Sequence, residues 1–152
     1  MTCFILPIER FGEMDELYAM SDFEKKKRYE NLVTKNEICI VAEQDGKIIG
    51  EITIMTNNAN IPAAVIPNRR VYFFGLRVHP DFRRKGVAKS LLAYAIKTTS
   101  SRGIFEITIA VEKGNELAKE IYTKSGFEPF LNDCTEDFDG KKLSFDLMML
   151  VL

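Results

Sequence analysis

Apolar and polar positions divide the chain into segments of two periods. Ile38 to Glu43 and Ile48 to Met55 are apolar stretches on either side of Gln44-Asp45-Gly46-Lys47. Asp-Gly between two such runs predicts a tight β-hairpin. Val71 to Val78 is almost continuously apolar, the pattern of a strand covered on both faces. Phe105, Ile107, Ile109 and Val111 alternate with Glu106, Thr108 and Ala110, which is strand periodicity. Between these two runs, Ala88, Leu91, Leu92, Ala95 and Ile96 fall at i, i+3, i+4, i+7 and i+8. That stripe predicts an amphipathic helix from about Gly86 to Thr99, stopped by Gly103.

The rest of the chain fits around this centre. Thr2 to Leu6 reads as a short strand ended by Pro7. Phe11 to about Thr34 reads as two helices broken near Ser21-Asp22, either of which can cap the second. Asn57 to Asn68, rich in asparagine and proline, reads as a loop. Asn115 to Ser125 predicts a short helix closed by Gly126. Phe127 to Leu131 and Lys141 to Val151 predict the last strands, turning at Asp139-Gly140. The order is β-α-α-β-β-β-α-β-α-β-β, an α/β (α+β) arrangement expected to form one domain over residues 1–152.

Composition narrows the function. Hydrophobic residues make up 46% and charged residues 28% of 152, with a net charge of -1. Nothing global favours nucleic acid or an anionic membrane, and neither is expected as a partner. No run approaches the roughly 18 apolar residues of a membrane span. Cys3, Cys39 and Cys134 lack metal-ligand spacing, so neither a disulfide scaffold nor a metal site is expected. The amino-terminal residues lack the basic start of a secretory signal, and a cytoplasmic location is the expectation. Cys39 reads as a small buried hydrophobe, and Lys25-Lys26-Lys27-Arg28 as a solvated helical face.

The chemistry concentrates in Val78-His79-Pro80-Asp81-Phe82-Arg83-Arg84-Lys85-Gly86-Val87-Ala88, where a strand feeds a helix through a basic turn. A helix start leaves its first N–H groups unpaired and adds partial positive charge, which suits a phosphate or pyrophosphate. Arg83-x-x-Gly86-x-Ala88 resembles the signature of the GNAT acetyltransferase superfamily. Asn115, Ala118, Tyr122, Gly126 and Phe127 resemble that family's Asn-x-x-Ala-x-x-x-Tyr-x-x-x-Gly-Phe segment. The two motifs, one strand apart, cover the chain from Ile38 onward.

The resemblance implies a mixed, mainly antiparallel central sheet of about seven strands, flanked by helices on both faces and splayed between the fourth and fifth strands. It implies acetyl-CoA as co-substrate. The backbone of Leu76 and Val78 would pair with the pantetheine arm. The amides from Arg84 through Gly86 and Val87 to Ala88 would cradle the pyrophosphate, and Arg83, Arg84 and Lys85 would add charge. Asn115 would contact the cofactor arm and cap its helix. Tyr122 would protonate the leaving thiolate. In many relatives an acidic residue on the strand before the turn acts as base, but Phe73-Phe74-Gly75-Leu76-Arg77 offers none. Glu112 and Glu51 are the carboxylates in that neighbourhood, and each also reads as a surface residue. His79 reads as structural.

The implied reaction is attack of an amine, from a small molecule or a protein, on the thioester within a ternary complex. No metal is required. The acidic stretch Glu13, Asp15, Glu16, Asp22 and Glu24 either draws a cationic amine or is a solvated face. A CoA-binding module without catalysis is the rival. The final strand, Leu143 to Leu152, is apolar enough either to pair across a homodimer or to lie in the core.

Overall fold

The computed structural model describes residues 1–57, 60–138 and 140–152. Seven strands form one sheet: β1 (Thr2–Ile5), β2 (Glu37–Gln44), β3 (Lys47–Met55), β4 (Arg70–Val78), β5 (Glu106–Glu112), β6 (Glu128–Phe138) and β7 (Lys141–Val151). Their spatial order is β1-β2-β3-β4-β5-β7-β6. Every neighbouring pair is antiparallel except β4 with β5, which run parallel. The parallel pair is joined by helix α2 (Val87–Ser101), as a crossover requires.

The β2–β3 hairpin turns at Asp45 and Gly46, both left-handed at φ +53° and +78°. That is what a two-residue turn matching strand twist demands. Alternation then sorts the sheet into two faces. Ile38, Ile40, Ile52, Ile54 and Phe73 share a core with Leu91 and Leu92 of α2 and with Tyr122 of α3 (Glu116–Lys124). On the opposite face, Cys39, Val41 and Ile48 pack against Phe11 and Met14 of a 3-10 segment, Ile8–Glu16. Helix α1 (Asp22–Val33) lies on that face too, its start capped by Ser21 Oγ accepting from the Glu24 amide. Among the described residues no helix is long and apolar enough to cross a membrane.

The sheet splays where β4 leaves β5. Their register runs only from Arg70 opposite Glu106 to Phe73 opposite Ile109. Phe74 to Val78 keeps its antiparallel partner β3 on one edge and has no strand on the other. A bulge accompanies the departure: Thr53 faces Phe74 and Glu51 faces Arg77, so Gly75 and Leu76 together oppose Ile52. Gly75 takes φ +67°, as the left-handed residue of such a bulge does, and a bulge bends its strand.

Some expectations need correction. The first helical piece begins at Ile8, not Phe11, and is 3-10 throughout. The sixth strand runs to Phe138, well past Leu131, because β7 offers it a long partner; the irregularities at Leu131 absorb Asn132 and Asp133. The final strand β7 lies between β5 and β6 with both edges paired, so it cannot add to a second copy's sheet; β6 is the edge. Asp139 of the last turn, and Asn58 and Ala59 of the 57–68 loop, lie outside the described residues. The rest of that loop holds a 3-10 turn, Pro62–Ala64, with Ala64 and Val65 buried.

Candidate active site

A cavity of about 530 Å³ opens at the splay. Leu76, Ile109, Val111, Ala118 and Tyr122 line its inner side, and Asn115 and Glu112 stand with them. Tyr18, Glu24, Arg28, Glu51 and Arg77 line the side beneath α1. The parting of β4 and β5 therefore makes one space reachable from both faces of the sheet.

The sequence-predicted residues fall into two groups. Leu76, Glu112, Asn115 and Tyr122 meet at the cavity. Val78 and the turn from Arg83 to Ala88 sit beyond it, at the end of the unpaired edge of β4. His79 Nδ1 accepts from the Asp81 amide and so caps the short 3-10 turn Pro80–Phe82, the structural role expected of it. Arg84 at φ +62° and Gly86 at φ +79° bring the chain into α2. Gly86 carries no side-chain cap. Among the described residues, the amides of Arg84 through Lys89 have no hydrogen-bond acceptor in the protein. An open row of N–H groups at a helix start is an anion cradle. The Val87 side chain is buried in the core, so only its amide is available there. Arg83, Arg84 and Lys85 are exposed; Arg83 Nε donates to the Val78 carbonyl at 3.3 Å, and the Lys85 ammonium lies 5.5 Å from the Phe82 ring centre.

Asn115 Oδ1 accepts from the Ala118 amide at 3.1 Å, which caps α3. Nearly two turns into that helix Tyr122 is buried, and burial pushes its hydroxyl up to about 12. It holds its proton at neutral pH. Glu112, at the end of β5, is exposed.

Glu51 is no surface carboxylate. It is 1% exposed, with Arg28 Nη2 at 2.8 Å and Arg77 Nη1 at 3.6 Å. Arg28 corrects the reading of its basic run: it is 6% exposed and turns inward, with Nη1 donating to the Tyr18 hydroxyl at 2.6 Å and Nη2 to Thr53 Oγ1 at 3.3 Å. Burial alone would lower its pKa, but the Glu51 carboxylate beside it holds it above the ordinary value. Tyr18 donates in turn to Glu24, and Arg77 stacks 3.5 Å from the Tyr18 ring centre. Cys39 is buried as expected, but beside this cluster rather than in a purely apolar setting; burial holds its thiol well above the usual range. None of the three cysteines lines the cavity. Of the acidic stretch, Glu13 pairs with Arg10 and Asp15 with Lys25, and Glu24 reaches the cavity wall.

The sequence reading missed Tyr18, Arg28, Arg77 and the bulge glycine Gly75. One signal was present. Glu24, Lys27, Arg28 and Asn31 stand at i, i+3, i+4 and i+7 of α1 and all line the cavity, a polar stripe where a packed helix shows an apolar one.

An open phosphate cradle at a helix start, one strand from a buried tyrosine at a splayed sheet, defines an acyltransferase-like class of fold. The profile of the acetyltransferase (GNAT) family matches residues 5–127, and the chain belongs to that family. A curated relative, GCN5-related N-acetyltransferase 6, chloroplastic, of Arabidopsis thaliana, is 34% identical over 61 residues. Those are 40% of this chain and 21% of the relative, so the likeness spans about a fifth of that protein's length. The ribosomal-protein-alanine N-acetyltransferase of Brucella melitensis superposes with a TM-score of 0.77 at 16% identity, over all of both chains. The PaiA N-acetyltransferase of Thermoplasma acidophilum, solved with coenzyme A, gives 0.72 at 24% identity, again over both whole chains. The likeness to these solved structures is one of fold.

Proposed function

We propose that this chain is an acetyl-CoA-dependent N-acetyltransferase that passes an acetyl group directly to an amine. The observation that carries this is the continuity of the free edge of β4, the uncapped start of α2 and the cavity holding Tyr122. These residues fit a long, bent ligand with an anionic middle. Unpaired N–H groups from Arg84 to Ala88 suit a pyrophosphate, with Arg83, Arg84 and Lys85 adding charge. Leu76 and Val78 offer backbone groups on an edge without a strand, able to take an extended amide-bearing arm by strand-like pairing. Acetyl-CoA held there supplies an acetyl group on a thioester.

The chain's own groups divide the remaining work. Tyr122, protonated at neutral pH, gives its proton to the departing sulfur. Glu112, open to water at the cavity rim, takes the proton from the amine, directly or through water. Glu51 is unsuited to that role, because protonating it would break its buried pairing with Arg28. With no cysteine on the cavity wall, attack by the amine within a ternary complex is the favoured route over a covalent relay.

Calorimetric titration with acetyl-CoA, CoA and ATP tests the cofactor half. A Cβ at Gly86 would meet nothing within 4 Å, so Gly86→Glu adds charge without a clash; its left-handed φ costs about 1–2 kcal/mol. Acetyl-CoA is expected to bind wild type, and to bind the variant at least about a hundredfold more weakly, two like-charge contacts' worth. Equal binding to both, or preference for ATP, overturns the reading.

A further inference from the structure

We infer that the acceptor carries a carboxylate beside its amine, and that Arg77 holds that carboxylate. This rests on the acetyltransferase reading above and names its substrate class. Beneath α1 two guanidiniums crowd one buried carboxylate. Arg28 and Arg77 share one carboxylate, Glu51, and Arg28 takes the closer hold on it: 2.8 Å to Oε1 and 3.4 Å to Oε2. Arg77 Nη1 stops 3.6 Å from Oε2 and has no hydrogen-bond partner although it is buried. Arg28 Nε and, with the opposite charge, Glu37 Oε1 are likewise buried without a partner. Of the two guanidiniums that share Glu51, Arg77 is the less engaged and the one left open to the cavity; Glu24 and Glu37 on the same wall are held by Tyr18 and Asn31 instead.

Arg77 is also built to present its charge. A third of its side chain remains open and it lines the cavity, while stacking on Tyr18 fixes the guanidinium plane. Tyr18 is in turn held by Arg28 and Glu24. A planar guanidinium fixed in this way matches a carboxylate through two parallel N–H donors. Arg77 follows the Gly75–Leu76 bulge directly, on the stretch of β4 beyond Phe73 that has no β5 partner. A carboxylate on it places the rest of a short acceptor at the splay, where Leu76 and Tyr122 lie.

The other cavity carboxylates choose among anions. Glu24 accepts from Tyr18, Glu37 from Asn31 and Glu136 from Asn60, while Glu112 stands exposed at the rim. A dianion without a cationic group meets these four as repulsion. A zwitterion meets Arg77 with one end and the glutamates with the other. Free amino acids, α or ω, have that chemistry; polyamines and peptide amino termini lack the carboxylate.

Thiol release from acetyl-CoA would be followed with a panel of amino acids, each beside its carboxamide and its decarboxylated amine. The amino acid is expected to exceed both in kcat/KM by about tenfold or more, the scale of one charge-assisted hydrogen bond, chiefly through KM. Arg77→Gln is expected to remove most of that preference and Arg77→Lys part of it, with the KM for acetyl-CoA unchanged. Arg28 still neutralises Glu51 in both variants, and circular dichroism checks their fold. Calorimetry of the amino acid against the CoA-loaded protein gives a second readout. If amines without a carboxylate are acetylated as well as the amino acids, or if Arg77→Gln leaves the preference intact, the acceptor assignment is overturned and the enzyme reading stands. If acetyl-CoA neither binds nor turns over, both are overturned.

Discussion

Replacing Arg28 with methionine isolates the most consequential polar contact in the molecule. Glu51 sits in the middle of the sheet at 1% exposure, and Arg28 supplies its close donors. Without them the carboxylate keeps the 3.6 Å contact to Arg77, too long for a hydrogen bond, and the weak Cys39 thiol donor at 3.7 Å. Removing one partner of a buried ion pair costs about 3–5 kcal/mol, because the remaining charge stays desolvated. At 152 residues total stability is roughly 8–20 kcal/mol, so the variant should still fold. Its melting temperature should fall by roughly 6–20 °C. Adding Glu51→Gln removes the stranded charge, and the double variant should recover most of the loss. Urea unfolding followed by circular dichroism at neutral pH measures all three proteins. A single variant within about 1 kcal/mol of wild type, or a double variant no more stable than the single, refutes the charge-balance argument.

Tyr122→Phe should lower kcat by about a hundredfold while leaving acetyl-CoA affinity in calorimetry unchanged, because only a proton donor is lost. The same variant has a pH signature: the native hydroxyl titrates at about 12 and the unfolded one near 10. Between those values the native state keeps a proton that the unfolded state has lost, so stability falls as pH rises, and the variant should fall less steeply. Gly50→Ala would bring a methyl to 3.0 Å from Leu91 Cδ1, 3.1 Å from the Arg77 carbonyl and 3.2 Å from Val87 Cγ1. Since Val87 opens α2, the variant should lose about 1–3 kcal/mol in urea unfolding. It should also bind acetyl-CoA more weakly.

What the sequence made legible is what periodicity and turn chemistry encode. The Asp45-Gly46 hairpin, the Ser21 cap and the apolar stripe of α2 are local, and each appears where its residues say. The splay was legible through motif resemblance, but its physical cause was not. Gly75 inside an apolar run could be a bulge, a packing site or a weak point, and only its pairing against Ile52 decides. The acceptor side was least legible, for a definite reason. Sequence patterns assign charged residues to solvent, because burying a charge without a partner is prohibitive. Arg28 and Glu51 are 23 positions apart, and no local pattern reveals that each is the other's partner. Glu51 lies in a strand read correctly, and Arg28 in a helix read correctly; their pairing belongs to the tertiary structure alone.

The inverted polarity of α1 ties that pairing to the cavity. Phe23, Tyr29 and Val33 lie about half exposed, while Glu24, Arg28 and Asn31 turn toward the protein. A helix that buries so little apolar surface gains little from packing, and propensity alone does not hold twelve residues in place. The Ser21 cap fixes where α1 begins, and the Arg28–Glu51 pair fixes how it lies on the sheet. The contact that stabilises the helix therefore also sets the width of the chamber below it and the pose of Tyr18, on which Arg77 stacks. An apolar stripe would anchor α1 more firmly and would fill the space an acceptor needs. A polar wall held by one buried ion pair leaves that space open, at the cost of concentrating its stability in two side chains.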